Sequence, residues 1–355
     1  MIRFKGKLAL QQRVLPSYRV PFFELLASAC DGGMSLFTGL PRAVEEIVTA
    51  DDLKIANYTL GDNIHLFGGG YYLCYQQGLR DWLKETNPDA LIMEANPRYL
   101  STPPAIKWMH KKNKPVIGWG LGAGSGGIIW NKFINHFDTM ISYSQRGADE
   151  YAALGFTKEK IFVAHNSVAL PQDTPLHPRT ATYDNRPNIL FVGRLQARKR
   201  VDYLLRACAE IKDVRLIIVG DGPERAALES LAKEIYPRAE FVGSKHGAEI
   251  KTYFEGADLF VLPGTGGLAV QEAMSHGLPV IVAQGDGTQD DLVRKENGWQ
   301  IPPDDYQTLL STMKDALVDV ARLRRMGEES YRIVKEEINI EKMVETFVRA
   351  LNSVT

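Results

Sequence analysis

Cysteine is scarce in this sequence, and no long hydrophobic run occurs in it. The three cysteines, Cys30, Cys74 and Cys208, stand far apart and without C-x-x-C spacing. This pattern excludes a disulfide framework and a cysteine zinc site, and it is typical of a reducing cytoplasm. No apolar stretch reaches about 18 residues, so no membrane-spanning helix is expected. The N-terminal residues do not resemble a signal peptide. We therefore expect a cytoplasmic protein.

A strong net charge is also absent. The 42 Lys and Arg residues nearly balance the 43 Asp and Glu residues, for a net charge of -1, so nothing indicates a nucleic-acid partner. One local run, "KWMHKKNK" (Lys107–Lys114), is basic. It is typical of a solvated last turn of a helix, where cations complement the dipole. The alternative is a peripheral contact of the N-terminal half with the anionic inner face of a membrane.

Several catalytic and cofactor motifs are missing. No G-x-G-x-x-G follows the first strand candidate, and there is neither a P-loop nor a G-x-S-x-G elbow. Histidines and carboxylates are not clustered as metal ligands, so we expect no metal site. These absences exclude the commonest dinucleotide, nucleoside-triphosphate and serine-hydrolase sites.

Short apolar runs alternate with helical patterns along all 355 residues. This alternation predicts βαβ units, hence an α/β fold with parallel sheets, and the length favours two domains. The proline-rich stretch "ALPQDTPLHPRTATYDNRPN" between the halves is typical of a linker. We predict domains at 1–170 and 188–335, a linker at 171–187, and a C-terminal segment at 336–355. A cleft between the domains is the expected ligand site.

Glycine follows five successive strand candidates in the second half. The loops read "GRLQARKR", "GDGPE", "GSKHGAE", "PGTGG" and "AQGDGTQDD". A single such glycine is ordinary turn chemistry. Together, glycines let a backbone approach a ligand, and the helices that begin beyond them aim N–H groups at an anion. Arg194 and Lys199 add positive charge to the same edge, so the pattern predicts a diphosphate site.

At these loops the sequence resembles a known family. The segments "FVGRLQARKRVDYLLRA", "RLIIVGDGPERAALESLA", "EFVGSKHGAEIKTYFEGADLFVLPG", "GLAVQEAMSHGLPVIVA" and "ENGWQIPPDD" occur in order between about Asn188 and Asp305. They resemble the donor half of the retaining glycosyltransferases of family four (glycosyl transferases group one), which have the GT-B fold. The resemblance implies two Rossmann-like domains facing a cleft, the N-terminal one for the acceptor and the C-terminal one for a nucleotide sugar. The segment "INIEKMVETFVRALN" resembles the family's last helix, which crosses back to the first domain.

The resemblance also implies roles for individual residues. Arg194 and Lys199 match the catalytic pair that neutralises the leaving diphosphate, and Glu272 matches the ribose ligand. The other matched residues face the phosphates or the nucleobase: Gly193, Gly266, Gly267 and Leu268 on the phosphate side, and Phe241, Val242 and Gly243 beside the base. The implied co-substrate is a UDP- or GDP-linked sugar, with no separate cofactor and no metal.

Three features depart from the family pattern. Gly264 stands where the family has a second glutamate that contacts the donor sugar, and "VIGWGLGAGSGG" lacks the family's histidine near the reacting carbon. The first helix opens with "LPSYRVPFF", in which Arg19 either reaches an anion or packs in the interior. The aromatic candidates for stacking on an acceptor sugar, a residue type that is more often part of the core, are Tyr71, Tyr72, Tyr75 and Trp119.

The resulting expectation is a retaining hexosyltransferase. It would move a hexose-type sugar from a nucleotide diphosphate sugar to an acceptor hydroxyl on a glycan, a lipid-linked molecule or a small molecule. The resemblance suggests bacterial surface polysaccharide or glycoconjugate synthesis. The alternatives are a non-catalytic nucleotide-sugar-binding or scaffold subunit, and a nucleotide-sugar epimerase of the same fold.

Overall fold

The chain folds into two compact units. A computed structural model describes residues 2–123, 127–170, 176, 178–180, 182–183 and 185–355. One unit comprises Met1–Val168 with Ile340–Thr355, and the other comprises Ala169–Asn339. Of the predicted linker, residues 171–175, 177, 181 and 184 lie outside the described residues, as do residues 124–126 of the glycine-rich "VIGWGLGAGSGG" segment.

The first unit is built on a seven-stranded sheet and a two-stranded hairpin. Its strands are β1 (Leu8–Val14), β2 (Met34–Gly39), β3 (Asn57–Leu60), β4 (Asp62–Leu66), β5 (Leu73–Gln77), β6 (Ala90–Glu94), β7 (Val116–Gly120), β8 (Thr139–Ser142) and β9 (Ile161–Val163). The helices within its N-terminal part, Met1–Val168, are α1 (Val20–Ser28), α2 (Leu79–Thr86), α3 (Thr102–His110), α4 (Ile128–Ile134) and α5 (Gln145–Ala153).

The order of the seven strands is β3-β2-β1-β6-β7-β8-β9, and all neighbours are parallel. Strands β4 and β5 pair antiparallel as the separate hairpin. Strand order reverses between β1 and β6, which makes this the topological switch point of the sheet. The central strands are buried runs of apolar residues, as expected where helices cover both faces of a parallel sheet.

The second unit repeats this architecture with six parallel strands. They are β10 (Asn188–Val192), β11 (Arg215–Val219), β12 (Glu240–Gly243), β13 (Leu259–Leu262), β14 (Val280–Ala283) and β15 (Gly298–Ile301). The helices are α6 (Val201–Ile211), α7 (Arg225–Ile235), α8 (Ala248–Glu255), α9 (Ala269–Ser275), α10 (Thr288–Leu292), α11 (Tyr306–Val318) and α12 (Val320–Glu336). The order β12-β11-β10-β13-β14-β15 places the switch point between β10 and β13.

The last helix, α13 (Ile340–Asn352), belongs to the first unit. Its apolar residues recur at helical spacing and are buried, and Phe347 packs edge-on against Phe22 of α1 with ring centroids 4.9 Å apart. The segment predicted at 336–355 therefore begins its helix at Ile340, after α12 has ended at Glu336.

The predicted fold class, α/β with two parallel-sheet domains, is confirmed by these two sheets. Three strands were not predicted: β3, β5 and β15. Each is short and carries few consecutive apolar residues, so local hydrophobicity did not distinguish it from a loop. Among the described residues, no helix is long and apolar enough to span a bilayer.

Candidate active site

Two loops meet at the switch point of the second unit. One follows β10 and runs from Gly193 to Arg200, and the other follows β13 and runs from Pro263 to Leu268. In open α/β sheets, ligands bind outside the carboxyl ends of the strands at this point. The predicted residues of both loops therefore lie at the position that the topology favours for a ligand.

Lys199 connects the two loops. It ends a short 3-10 turn, Ala197–Lys199, and its side chain is buried. Its Nζ donates hydrogen bonds to the carbonyl oxygens of Thr265 and Gly266, both at 2.8 Å. Burial lowers the pKa of Lys199 to about 8, and the nearby positive charge of Arg198 acts in the same direction. A cation held in this environment has lost much of its hydration, so an incoming anion would bind to it strongly.

Gly264 allows this connection by having no side chain. A Cβ atom at this position would lie 2.1 Å from the carbonyl oxygen of Arg198 and 2.4 Å from the Cα of Lys199. The backbone of the first loop occupies the space where the family's second glutamate would begin. The departure at Gly264 is therefore a packing requirement of this chain.

Gly266 and Gly267 form the tight turn that the sequence predicted. Their φ angles are 71° and 143°, a region that favours glycine. A Cβ atom on Gly266 would lie 3.5 Å from Nη1 of Arg198 and 3.9 Å from Nζ of Lys199. Arg198 also donates to the Thr265 carbonyl at 3.3 Å. Arg198 was not predicted as a site residue, although it stands beside Lys199 in "ARKR".

Glycines at the carboxyl ends of β10, β11 and β12 lie next to one another at the edge of the sheet. The backbone N–H of Gly193 donates to the Val219 carbonyl oxygen at 3.0 Å, and that of Gly220 donates to the Gly243 carbonyl oxygen at 2.9 Å. A Cβ atom on Gly220 would lie 1.9 Å from the Gly193 carbonyl oxygen. Close packing between loops therefore explains Gly220, whatever ligand is bound.

The predicted nucleobase segment lies apart from the switch point. Phe241, Val242 and Gly243 end β12, and β11 and β10 separate this edge strand from β13. Phe241 and Val242 are partly buried. The structure thus brings Lys199 together with Gly266 and Gly267 and leaves Phe241–Gly243 two strands away from β10.

Glu272 lies in the first turn of α9, and its backbone N–H donates to the Leu268 carbonyl at 3.3 Å. Its carboxyl is partly buried, and this burial raises its pKa, while the nearby His246 lowers it. Within the described residues its carboxylate accepts no hydrogen bond. His246, on the loop after β12, was not predicted. A carboxylate that is partly desolvated and still able to accept is suited to a diol ligand such as a ribose.

In the first unit, Arg19 packs in the interior. It donates to Asn166 and to the carbonyl of Ser167, and its guanidinium lies 5.6 Å from the ring centroids of Trp119 and Tyr143. Trp119 is buried with Phe22 and Phe347. The structure therefore supports the interpretation of Arg19 and Trp119 as interior residues.

A cavity of about 500 Å³ lies at the carboxyl ends of β6, β7 and β8. Glu94, the last residue of β6, lines it, and its carboxylate accepts the backbone N–H of Arg13 across the switch point between β1 and β6. Burial raises the pKa of Glu94 to about 7. Glu94 was not predicted as a site residue, and its one local signal is a carboxylate that ends the buried strand "ALIME". We call this space the Glu94 cavity.

A second cavity, of about 550 Å³, lies at the opposite edge of the same sheet. Its lining includes His110, Lys114 and Asp138, which precede or flank the amino-terminal ends of β7 and β8. Ligands of parallel α/β sheets bind at the other edge, so this space is a weaker candidate. No group of three or more His, Cys, Asp or Glu side chains in the described part of the chain is placed to hold a metal ion.

Comparisons with known proteins identify the family. Residues 186–319 match the family model described as glycosyl transferases group 1. A GDP-mannose-dependent alpha-mannosyltransferase of Mycolicibacterium smegmatis is 35% identical over 159 residues, which are 44% of this chain and 40% of that protein. This chain thus spans less than half the length of that relative. An uncharacterized glycosyltransferase of Methanocaldococcus jannaschii, MJ1607, is 30% identical over 293 residues, 74% of each chain.

Among solved structures, Anabaena HepE in complex with UDP superposes with a TM-score of 0.74 at 16% sequence identity, covering 98% of this chain and 99% of that one. This similarity extends over both units and shows a common fold, GT-B. The relative that is 30% identical over 74% of this chain shows the family. The chain belongs to the glycosyltransferases, and its residues 186–319 match the group 1 model.

Proposed function

We propose that this protein transfers a hexose from a nucleotide diphosphate sugar to an acceptor hydroxyl, with retention of anomeric configuration. The observation that carries the proposal is Lys199. A buried lysine with a lowered pKa is hydrogen-bonded to the Thr265–Gly266 turn at the β10/β13 switch point. A diphosphate is the ligand that this combination of a desolvated cation, a glycine turn and a following helix start would favour.

The family resemblance supplies the donor roles that go with this placement of Lys199. Lys199 and Arg194 would neutralise the charge that develops on the leaving diphosphate. Glu272 would accept hydrogen bonds from the ribose hydroxyls, and Phe241–Gly243 would lie beside the nucleobase. The Mycolicibacterium relative is named for GDP-mannose and the HepE structure contains UDP, so both nucleotides are candidates.

The chemistry would be positioning and electrostatic stabilisation rather than covalent catalysis. The anomeric carbon would pass through an oxocarbenium-like state while the acceptor hydroxyl attacks the face from which the diphosphate departs. The departing phosphate oxygen would take the acceptor proton. In this scheme the protein holds the acceptor hydroxyl and the anomeric carbon in the orientation that the reaction requires, and it stabilises the leaving group.

A nucleotide-sugar panel tests the proposal directly. Thermal unfolding of the purified protein is followed with UDP- and GDP-linked glucose, galactose, mannose and their N-acetyl forms. A ligand at 100-fold its dissociation constant stabilises the folded state by about 2.7 kcal/mol, which is readily measured. Transfer to an acceptor is then followed by nucleotide diphosphate release, and the anomeric configuration of the product is read by NMR.

Each outcome has a defined meaning. Stabilisation by one nucleotide sugar together with an α-linked product from an α-linked donor supports the proposal. Binding without transfer to any acceptor favours the scaffold subunit, an alternative to which the absence of a glutamate at Gly264 gives some weight. No stabilisation by any nucleotide sugar contradicts both.

We also propose a cytoplasmic location with peripheral contact at the inner membrane face through Lys107–Lys114. This run covers the end of α3 and the turn after it, and Nζ of Lys112 lies 5.1 Å from the ring of the partly buried Trp108. Sedimentation with vesicles containing phosphatidylglycerol tests the contact. Substituting Lys111 and Lys112 by glutamine should reduce it, and an unchanged bound fraction would argue for a solvated helix end.

A further inference from the structure

A second space in the same unit borders the Glu94 cavity at Arg98. This space, of about 430 Å³, is formed by the tip of the β4–β5 hairpin and is lined by Phe67, Gly70, Tyr71, Tyr72, Leu73 and Arg98. We call it the hairpin groove. Arg98 also lines the Glu94 cavity, so this residue borders both spaces. The two spaces are therefore neighbours, and one extended ligand would meet Arg98 between them.

The hairpin groove carries aromatic side chains in solvent. Phe67 is 76% exposed and Tyr71 is 85% exposed. Phe67 also has a φ of 58°, a left-handed conformation that is uncommon and costly for a bulky residue. A surface that exposes aromatic rings on a strained turn beside a groove is typical of a binding site for an apolar group.

The Glu94 cavity, in contrast, offers hydrogen-bonding groups. The Glu94 carboxylate is an acceptor at one wall. Trp130 lies on the same lining and offers a surface for the apolar face of a sugar. A carboxylate that accepts hydrogen bonds and an aromatic surface in one space fit a hydroxyl-bearing ring.

We propose that the acceptor is an amphipathic glycoside, with its sugar in the Glu94 cavity beside Glu94 and its apolar chain in the hairpin groove against Phe67 and Tyr71. This inference rests on the proposed function, because it assigns the acceptor class of the same reaction. The sugar hydroxyl would donate to the Glu94 carboxylate. The chain would cover the exposed aromatic rings, which accounts for a groove that is otherwise unfavourable in water.

Matched glycosides test the inference. The probes are the octyl and methyl glycosides of glucose, galactose and mannose, titrated calorimetrically into the full chain below the concentration at which the octyl forms aggregate. For the sugar that fits, the octyl glycoside should bind at least about tenfold more tightly than the methyl one, because only its chain buries apolar surface. Combining Phe67→Asn with Tyr71→Ser should remove most of this ratio and leave methyl glycoside binding unchanged. Asparagine tolerates the left-handed conformation at position 67.

Two further variants complete the design. Glu94→Gln should weaken octyl and methyl glycosides alike, because it alters the sugar contact only. Val318→Ser, which changes another exposed apolar residue in the second unit, should change neither. Equal affinity for octyl and methyl glycosides, no binding of any octyl glycoside, or full octyl binding by the hairpin double variant would overturn the inference.

A membrane contact is the competing explanation of the groove, and the same variants decide it. If the hairpin double variant loses binding to phosphatidylglycerol vesicles while octyl glycosides bind it as well as the wild type, the groove is a membrane contact and the inference is wrong. The nucleotide-sugar panel separates this failure from failure of the proposed function. The hairpin variants should keep the donor response of the wild type, whereas a wild type that responds to no nucleotide sugar contradicts the proposed function itself.

Discussion

Gly264 lies against the backbone of Lys199. A Cβ atom at Gly264 would be 2.4 Å from the Cα of Lys199 and 2.5 Å from its carbonyl carbon, so the two loops of the β10/β13 switch point can approach only because this position has no side chain. The approach places Nζ of Lys199 within 2.8 Å of the Thr265 and Gly266 carbonyl oxygens. The residue that departs from the family pattern therefore fixes the position of the residue expected to bind the leaving group.

The first prediction concerns this contact. Gly264→Ala should lower the free energy of unfolding by about 1–3 kcal/mol, because the added methyl group meets backbone that has no flexible atom to move. It should also reduce the stabilisation by a nucleotide sugar, since Lys199 would be displaced from the turn. Urea denaturation with and without the donor measures both effects.

Gly68→Ala is the matched control for that substitution. A Cβ atom at Gly68 would meet nothing within 4 Å, and its φ of -149° suits any residue. Its stability should stay within about 0.5 kcal/mol of the wild type. If Gly264→Ala proves as stable as this control, the packing explanation of Gly264 is wrong.

The second prediction is that Lys199→Ala lowers turnover by about 100-fold or more and changes stability little. Removing a charge that acts on the transition state affects the rate strongly. The fold loses two hydrogen bonds but also loses the cost of a buried charge. Single-turnover rates and thermal unfolding of purified variants measure the two effects, with the exposed Lys233→Ala on α7 as control. Unchanged turnover would remove Lys199 from the mechanism.

The third prediction assigns the ribose contact to Glu272. The wild type should bind a nucleoside diphosphate about tenfold more tightly than its 2′-deoxy analogue, because a hydrogen bond to a charged acceptor is among the stronger kinds. Glu272→Ala should bind both with equal, lower affinity. A double-mutant cycle combines Glu272→Ala with the 2′-deoxy ligand. Measured by titration calorimetry, it isolates the free energy of the contact between Glu272 and the ribose. Glu249→Ala on α8 is the exposed control, and a preference for ribose that survives in Glu272→Ala would place the contact elsewhere.

The sequence predicted the parts of the fold that depend on local patterns. Strand boundaries such as Leu8–Val14 and Leu259–Leu262 were predicted correctly, because a buried parallel strand is a continuous apolar run between turn residues. The hairpin strand β5 was missed because its buried and exposed residues alternate and its apolar content is low. Local hydrophobicity carries little information about such a strand.

Prediction of the site from the sequence is limited in the same way, because local patterns do not show which distant residues meet. Loop chemistry identified Lys199 and Gly266 as neighbours of a diphosphate, a role that stays a prediction. No local pattern could show that the backbone at Lys199 fills the space beside Gly264, since these residues are far apart in the sequence and meet only through the strand order. Glu94 was missed for a related reason. A carboxylate at the end of a strand is ordinary until the neighbouring strands enclose it.

The fourth prediction is a pH dependence of donor binding. The pKa of Lys199 is lowered from 10.5 to about 8 in the folded protein. Only the protonated lysine attracts a diphosphate, so donor affinity should be constant below about pH 8 and fall as the pH rises above it. A nucleotide sugar is the appropriate ligand, because both ends of its diphosphate are esterified and do not titrate in this range. Lys199→Arg should abolish the decline, since a guanidinium stays charged. A decline that persists in Lys199→Arg would have another origin.

The fifth prediction uses the raised pKa of Glu94, which burial shifts from 4.5 to about 7. For an acid whose pKa is higher in the folded state, the stabilisation from the protonated form is complete below about pH 4.5 and is lost as the pH rises through about 7. At pH 8 the wild type therefore carries a cost that Glu94→Gln lacks. We expect this variant to be more stable at pH 8 by about 1–2 kcal/mol, a value reduced for the exposure of Glu94 to its cavity.

At pH 4 the advantage of Glu94→Gln should disappear, because the wild-type side chain is then also neutral. Glutamine keeps an oxygen that can accept the Arg13 N–H, so the hydrogen bond across the β1/β6 switch point survives in the variant. Urea denaturation at pH 4, 6 and 8 measures the difference, with the exposed Glu159→Gln expected to stay within about 0.5 kcal/mol of the wild type throughout. A Glu94→Gln variant that is less stable than the wild type at pH 8 would mean that the ionised carboxylate stabilises the fold, and Glu94 would then be a structural partner of Arg13 rather than a group available to an acceptor.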